Sequence, residues 1–276
     1  MSLALARFQR RQRANPLDYG RKTWMRLTMG VGFFFLYFPI VSLIAFSFND
    51  SKRNITWQGF TLRYYEKAYE NSQLHDAFLN SLIVAGISTA VSTILGTMLG
   101  LALYRFRFPL QGPYEGMVHL PIVIPEICMA VAMVSFFAAV DMPLGLTTIT
   151  VSHIAFSIPF VAVVIRARMS GFDASLEEVS YDLGASQWQT FWHITFAYMK
   201  PGIMAGALLA FTLSLDDFVI TFFTSGPGST TFPIKIYSMV RFSVTPEVNA
   251  ASTVLIVLTL ALTVTALLIQ SRTQGK

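Results

Sequence analysis

Three acidic side chains, Glu126, Asp216 and Asp217, lie inside long apolar runs of this sequence. An acidic side chain at the centre of a bilayer costs about 2.5 to 3.5 kcal/mol on insertion scales, so it needs a partner or a water-filled cavity. Carboxylates in such a place attract cations. Together with aromatic rings, which bind cations over their faces, they would suit the passage of a positively charged solute.

The sequence lacks the signatures of common covalent chemistry. It contains no His-Glu-x-x-His, no Gly-x-Ser-x-Gly and no paired-cysteine metal spacing, and its four histidines are scattered. The Gly-Pro-Gly-Ser-Thr segment at 226–230 lacks the lysine of a phosphate-binding loop. We therefore expect a protein that is not an enzyme and that holds no metal or cofactor of its own. If ATP drives it, another subunit must bind the ATP.

The elements that must position these acids are transmembrane helices. Hydrophobic residues make up 54% of the 276 and charged residues only 13%, a balance typical of a chain whose solvent is lipid. A helix needs about 20 apolar residues to cross the hydrocarbon core. Runs of that length predict spans at 27–48, 79–104, 117–140, 146–165, 198–223 and 250–270. We expect an all-α integral membrane protein with six transmembrane helices.

The distribution of lysine and arginine predicts the orientation of these spans. With the N-terminus in the cytoplasm, the inner segments hold 14 of these residues and the outer segments hold six, in agreement with the positive-inside rule. We expect a cytoplasmic segment at 1–26, a transmembrane domain at 27–270 and a cytoplasmic tail at 271–276. The net charge of +5 follows from this topology and gives no indication of nucleic-acid binding.

Two prolines are expected to kink or break the third span. Pro121 and Pro125 each remove a backbone hydrogen bond, and a broken helix at membrane depth is tolerated only beside protein or a water-filled cavity. Glu126 follows the second proline, so it either faces a solute path or caps the half-helix that begins there. Asp216 and Asp217 would project about 100° apart on a helix, so they cannot both face one lumen squarely.

Small residues mark two candidate helix contacts. Gly96-x-x-x-Gly100 lies in the second span and Gly202-x-x-x-Gly206 in the fifth. Such pairs let helices approach closely in lipid, although they also arise by chance in apolar sequence. We expect tight interfaces at one or both.

The outer segments are rich in aromatic residues. Trp57, in the segment at 49–78, is either an outer contact for the solute or an anchor at the headgroup level. The outer segment at 224–249 opens with a turn signal and is expected to hold a short interfacial helix.

The inner segment at 166–197 carries the most specific pattern in the chain. Glu178 is followed at fixed spacing by Gly184 and by Ile194. This spacing resembles the EAA motif of permease subunits of bacterial ATP-binding-cassette (ABC) importers. The residues that depart from the family pattern are Val179, Ser180, Phe196 and Ala197.

The resemblance implies the type I importer permease fold, in which a coupling segment docks on a cytoplasmic ATPase. Here the segment lies at about 173–193 and would form a helix, a turn at the glycine and a second short helix. The residues implied for the contact with the ATPase are Glu178, Asp182, Gly184, Ala185 and Ile194. The alternative interpretation is an amphipathic loop on the membrane surface without a partner.

Further blocks extend the resemblance over nearly the whole chain. They are Trp-Gln-Gly-Phe at 57–60, Ala-Leu-Tyr-Arg at 102–105, Asp-Leu-Gly-Ala-Ser at 182–186, Phe-Thr-Leu-Ser-Leu-Asp-Asp at 211–217, and the stretches 235–240 and 246–250. In this order they resemble the PotC-type permeases of spermidine/putrescine importers. The resemblance implies a bacterial inner membrane, a homologous second permease, an ATPase dimer that holds ATP and Mg²⁺, an external polyamine-binding protein and a polyamine substrate.

The leading hypothesis is therefore a permease that moves a polyamine by alternating access. Glu126, Asp216, Asp217 and Trp57 would lie along its pathway. One alternative is a permease for another organic cation or small solute. Another is an ion-coupled secondary carrier, in which acids inside spans are equally expected but a coupling segment has no use. A third is a membrane subunit without a pathway.

Overall fold

The computed structural model describes residues 23–51, 56–242 and 246–274, and most of these residues form helices. The helices are α1 (Thr23–Phe46), α2 (Arg63–Glu70), α3 (Ser72–Arg105), α4 (Gln111–Val123), α5 (Glu126–Ala139), α6 (Leu146–Met169), α7 (Ser175–Asp182), α8 (Gln187–Thr190), α9 (Phe196–Leu215), α10 (Val219–Thr224), α11 (Phe232–Phe242) and α12 (Pro246–Gln274). One turn of π-helix, Phe191–Thr195, joins α8 to α9. Within the described part, β-structure is limited to an isolated bridge between Asn49 and Phe60.

Five stretches of the described chain are long and apolar enough to cross a bilayer. They are α1, α3, α6, the run Gln187–Leu215 and the first part of α12. The helices α4 and α5 pass the same test as a pair, but they are bent by 105° at the break between them. The sixth span that the sequence predicts is therefore this bent pair, provided that it runs from one face to the other.

The relative direction of α3 and α6 shows that the bent pair does cross. A Cβ atom on Gly96 would meet Val161 at 2.6 Å, and one on Gly100 would meet Ile165 at 2.9 Å. Because these contacts advance along both helices together, α3 and α6 run parallel. The chain between them must return to the face where α3 began, and α4 and α5 are the helices between them. The prediction of six spans is confirmed.

Both predicted glycine pairs lie at tight contacts with α6. On α9, a Cβ atom on Gly202 would meet Arg168 at 3.0 Å, and one on Gly206 would meet Val161 at 3.1 Å. The numbering falls along α6 as it rises along α9, so these two helices are antiparallel. The buried residues of the resulting core are Val161, Ile165, Met169, Phe172, Met199 and Ala210.

The third span is broken where the prolines predict. Ile124 and Pro125 have extended backbone, with ψ of 135° and 133°, and Pro125 has no N–H to continue the helix. Pro121 remains inside α4. The expected kink is thus confirmed, and the second proline is the one that separates the half-helices.

The fifth span is not the continuous helix that the sequence predicts at 198–223. Three residues separate the end of α9 from the start of α10, and none of them is proline or glycine. The carboxylate of Asp217 accepts the backbone N–H groups of Ile220 at 3.4 Å and Thr221 at 2.8 Å. This local bond caps a new helix and competes with continuation of the old one, so the prediction of an unbroken span was wrong.

The remaining elements lie around this core. The helix α1 has no buried residues and packs against α12, so most of its surface is available to lipid. The helix α11 lies within the outer segment at 224–249, where a short helix is predicted. Most of the predicted cytoplasmic segment at 1–26, and the end of the tail at 271–276, lie outside the described residues.

Candidate functional site

Two helix breaks bring acidic side chains together. Glu126 is the first residue of α5, and Asp216 lies between α9 and α10. The helices α5 and α10 pack against each other around Ala130 and Ile220, both fully buried. Glu126 and Asp216 are exposed, and their like charges lie near enough to repel each other. Of the sequence-predicted pathway residues, these two are the pair that the structure brings together at the surface.

Asp217 has a different environment from its neighbour. Its side chain is only 6% exposed. Besides the backbone N–H groups that start α10, its carboxylate accepts the hydroxyl of Thr221 at 2.7 Å and lies 3.2 Å from Nε2 of His153. The two adjacent aspartates therefore separate as the sequence predicts, with Asp216 turned outward and Asp217 turned into the protein.

His153 is a site residue that was not predicted from the sequence. This residue is buried in α6, with 2% of its surface exposed, and it contacts both sides of the break in the fifth span. Its position inside a predicted span could have identified it, because an ionisable histidine in a membrane is energetically costly for the same reason as the three acids.

Aromatic side chains lie next to the exposed acids. Phe218 is in the same break as Asp216, and its ring lies 4.7 Å from that of Tyr237 on α11 and 5.4 Å from that of Phe222, centroid to centroid. The ring of Tyr237 is half-exposed. The break thus presents a carboxylate and aromatic surface together.

Trp57 lies apart from these residues. It follows the C-terminal end of α1, is 53% exposed, and its ring contacts Phe46 edge to face at 6.4 Å. Its described ring contact is thus with α1, and the structure does not bring it to the acidic pair. Asn49, fully buried, fixes the loop by donating to the carbonyl of Thr56 and accepting the N–H of Gln58, each at 2.8 Å.

The coupling segment forms a helix, a turn and a second helix. Gly184 has φ of +86°, a conformation that favours glycine. Ser186 and Gln189 form a capping box at the start of α8. The two helices are joined by a hydrogen bond of 2.9 Å between Ser180 and Thr190, both buried. Ser180 departs from the family pattern, and the structure shows what its hydroxyl contacts.

The residues predicted to contact an ATPase fall into two groups. Glu178, Asp182 and Gly184 are exposed, and Ala185 is half-buried. Ile194 packs against the core of α6 and α9, so it anchors the segment from within. The large hydrophobic side chains that the segment leaves exposed are Leu176, Val179, Tyr181, Leu183, Trp188 and Trp192. Such a cluster marks an interaction surface.

Glu177 joins the coupling segment to the transmembrane helices, although the sequence pattern singled out its neighbour Glu178. Its carboxylate forms an ion pair of 2.8 Å with Arg105 at the end of α3 and accepts the hydroxyl of Thr195. At the start of the segment, the hydroxyl and backbone N–H of Ser175 hold the pKa of the Asp173 carboxyl below its usual range. The contacts of Glu177 fix α7 against the C-terminal end of α3 and against the π-helical turn before α9.

The described residues include no group of three or more histidine, cysteine or acidic side chains that could hold a metal ion. The acidic pair at the breaks has two members and faces outward. Its geometry suits the attraction of a soluble cation more than the fixed coordination of a metal.

Comparison with known proteins gives a family and close relatives. Residues 92–273 match the family described as "binding-protein-dependent transport system inner membrane component". The chain is 39% identical over 242 residues to the spermidine/putrescine transport system permease protein PotC of Escherichia coli (strain K12), covering 87% of this chain and 92% of the relative. It is 37% identical over 249 residues to the putrescine transport system permease protein PotI of the same organism, covering 88% and 89%.

Solved structures share the fold. A chain of a bacterial ABC transporter involved in the import of the acidic polysaccharide alginate superposes with a TM-score of 0.74 at 18% identity, over 96% of this chain and 99% of that chain. A chain of the inward-facing MetNI methionine ABC transporter gives a TM-score of 0.63 at 18% identity, over 72% and 95%. The importer permease fold implied by the inner-segment pattern is confirmed.

Proposed function

Because this chain belongs to the family of binding-protein-dependent transport system inner membrane components, we propose that it forms half of the transmembrane pathway through which an ABC importer takes up polyamines. The observation that carries the proposal is the packing of α5 against α10, which brings the two helix breaks and their exposed carboxylates, Glu126 and Asp216, to the same region, where a cation would relieve their repulsion. Relatives named for spermidine and putrescine transport support the choice of substrate.

The chemistry of the breaks suits a polyamine. Such a molecule carries protonated amines spaced along a flexible carbon chain. Carboxylates at two separate helix breaks can attract two of its amines, while the rings of Phe218 and Tyr237 suit contact with the ammonium groups and the methylenes between them. A neutral solute would gain nothing from acids whose placement in a membrane is costly. Within this pathway Trp57 is a proposed contact at the outer entrance.

Asp217 belongs to the scaffold of the site. Its carboxylate is committed to the backbone of α10, to Thr221 and to His153, which leaves it turned away from the surface that Asp216 faces. Its contribution to passage is therefore to hold the break in which Asp216 lies.

The exposed apolar cluster on α7 and α8 is the proposed docking surface for an ATPase. Glu178 and Asp182 flank Leu183, which is 84% exposed at the turn, and would pair with basic groups of the partner. ATP and Mg²⁺ would bind to that partner, since this sequence has no phosphate-binding loop.

The helical run from the coupling segment offers a route for movement. It extends over 29 residues, Gln187–Leu215, and ends at the break that holds Asp216. At a rise of about 1.5 Å per residue this run is roughly 40 Å long. A displacement of the coupling segment by a closing ATPase would therefore reach the acidic pair directly, and alternating access would follow from reorientation around it.

The proposed assembly contains a homologous second permease, an ATPase dimer and an external polyamine-binding protein in a bacterial inner membrane. We place the face with the coupling segment in the cytoplasm. The helix α12 starts beside the start of α3, where Asn71 donates to Glu247 at 3.0 Å. Both helices cross from there, so both end at the face that carries the coupling segment. The excess of lysine and arginine in the inner segments supports the same orientation.

Reconstituted uptake tests the proposal. Proteoliposomes that contain the whole complex should accumulate labelled spermidine or putrescine only when ATP is inside and the loaded binding protein is outside. Uptake of another organic cation in preference to polyamines would show that the proposed substrate is wrong. Uptake by this chain alone, without ATP, would overturn the proposal in favour of a carrier.

A further inference from the structure

One buried imidazole links four helices around the break in the fifth span. Nε2 of His153 lies 2.9 Å from Oγ1 of Thr221 and 3.2 Å from Oδ2 of Asp217, and its Nδ1 lies 2.6 Å from Oγ of Ser214. The hydroxyl of Ser88 on α3 donates to that of Ser214 at 3.0 Å. The network therefore includes α3, α6, α9 and α10, and its centre is on α6.

The hydrogen bonds of this network form a continuous chain. The hydroxyl of Thr221 donates to Asp217 at 2.7 Å, which leaves its oxygen to accept from Nε2 of His153. Ser88 donates to Ser214, whose hydroxyl contacts Nδ1 of the same ring. Each polar group of this buried set has a partner, as buried polar groups require.

The network is compatible with a broken helix and not with a straight one. Ser214 is in the last turn of α9 and Thr221 is in the first turn of α10. In a continuous helix these residues, seven apart, would be about 10 Å apart along the axis. One imidazole with a hydrogen bond shorter than 3 Å on each side spans less than that. Straightening the fifth span would therefore cost His153 at least one of its bonds.

We propose that His153 is a positioning residue that holds the fifth span open at 216–218 and so keeps Asp216 at the surface. It acts through Asp217 and Thr221, which fix the start of α10, and through Ser214, which fixes the end of α9. That an exposed Asp216 serves polyamine transport rests on the proposed function. The geometry of the break does not, so the two can be tested separately.

The first test measures how fast a cysteine at position 216 reacts with a water-soluble, positively charged thiol reagent in the assembled complex. Cys128 is the one cysteine of the chain and is exposed, so the parent carries Cys128→Ser and Asp216→Cys. This readout needs no cargo. It reports the position of residue 216 whatever the complex transports.

Three substitutions of His153 separate its two nitrogens. His153→Gln places an amide near the position of Nε2 and keeps a donor for Asp217. His153→Asn places it near Nδ1 and keeps only the contact with Ser214, and His153→Leu removes both. The matched control is His119→Gln on α4, because the hydrogen bond that the described chain shows for this ring stays within α4, to the carbonyl of Glu115 at 2.6 Å.

We expect Asn or Leu at 153 to shift the equilibrium between the open and the straightened fifth span about fivefold toward the straightened form, because a lost hydrogen bond of about 1 kcal/mol changes an equilibrium constant by that factor, and the cysteine should therefore react more slowly. With His153→Gln the slowing should be smaller than with Asn, because the donor for Asp217 remains while the contact with Ser214 is lost, and with the control the rate should stay within about twofold of the parent. An unchanged rate in the Asn and Leu variants would overturn the proposal. Equal slowing in the Gln variant would also overturn it, since the volume of the ring would then hold the break. If the Leu variant fails to assemble, the Asn and Gln pair decides.

The second test keeps Asp216 and measures polyamine uptake per ATP hydrolysed in proteoliposomes. His153→Asn should lower this ratio by about fivefold or more, while stimulation of hydrolysis by the loaded binding protein persists. His153→Gln should restore it. Parallel loss of uptake and hydrolysis would indicate general damage and would contradict a positioning role. If the wild-type complex takes up no polyamine, the proposed function fails and the cysteine test still stands.

Discussion

Asp216 and Asp217 are adjacent, yet their substitution should have opposite consequences. Asp217→Ala removes the acceptor for two backbone N–H groups and for the Thr221 hydroxyl, all next to a side chain that is 6% exposed. Asp216→Ala removes an exposed carboxylate that lies at the break. The first change should therefore destabilise the complex, and the second should impair transport without unfolding it.

The structure sets the size of the difference. Loss of a helix cap costs about 0.5 to 2 kcal/mol, and a buried group left without its partner costs about 1 to 3 kcal/mol. We expect Asp217→Ala to destabilise the chain by about 2 to 4 kcal/mol on these grounds, which lowers its Tm by at least about 4 °C. Asp216→Ala should change stability by no more than about 0.5 kcal/mol.

Thermal unfolding of the detergent-solubilised complex measures this contrast. Binding-protein-dependent uptake by the same preparations gives the second readout, in which Asp216→Ala should lose about tenfold, the factor that about 1.4 kcal/mol of lost attraction would produce. Equal shifts in Tm for the two variants would refute the assignment of Asp217 to the scaffold. A larger loss of stability in Asp216→Ala would refute it as well.

Three further predictions concern packing and coupling. Gly100→Ala should destabilise the complex by about 1 to 3 kcal/mol, since its Cβ would lie 2.6 Å from a backbone carbonyl of α6, whereas Gly86→Ala on the open side of α3 should leave the Tm unchanged. Glu177→Gln should break the ion pair between α7 and α3, so that ATP hydrolysis continues while uptake per ATP falls; an unchanged ratio in flux assays would contradict this role. Leu183→Glu together with Trp188→Ala should weaken association with the ATPase by more than about tenfold, and unchanged binding in a pull-down titration would exclude this face as the docking surface.

Much of the fold follows from hydrophobic length and from backbone chemistry. The six spans follow from apolar runs, and the break at Pro125 follows from the missing N–H of proline. The contact face of Gly96 and Gly100 follows from their spacing, because only small side chains permit the approach to α6. Each of these signals is local in sequence.

The break at 216–218 could not be predicted in the same way. It depends on Asp217, whose carboxylate bonds to the backbone four residues ahead and to His153, 64 positions earlier in the chain. The sequence shows the aspartate and the histidine but not that they meet. Likewise Glu177 and Glu178 are equivalent in sequence, and only the position of Arg105 shows which of them faces the spans.

The most direct test of the pathway neutralises both exposed acids in one chain. Proteoliposomes with the complete complex carrying Glu126→Gln and Asp216→Asn are supplied with ATP, loaded binding protein and labelled putrescine, and uptake and ATP hydrolysis are measured in the same sample. If the cation passes Glu126 and Asp216, ATP hydrolysis should continue while uptake falls to the level of vesicles without ATP. Uptake equal to that of the unaltered complex would show that the cation does not pass the meeting point of the two breaks.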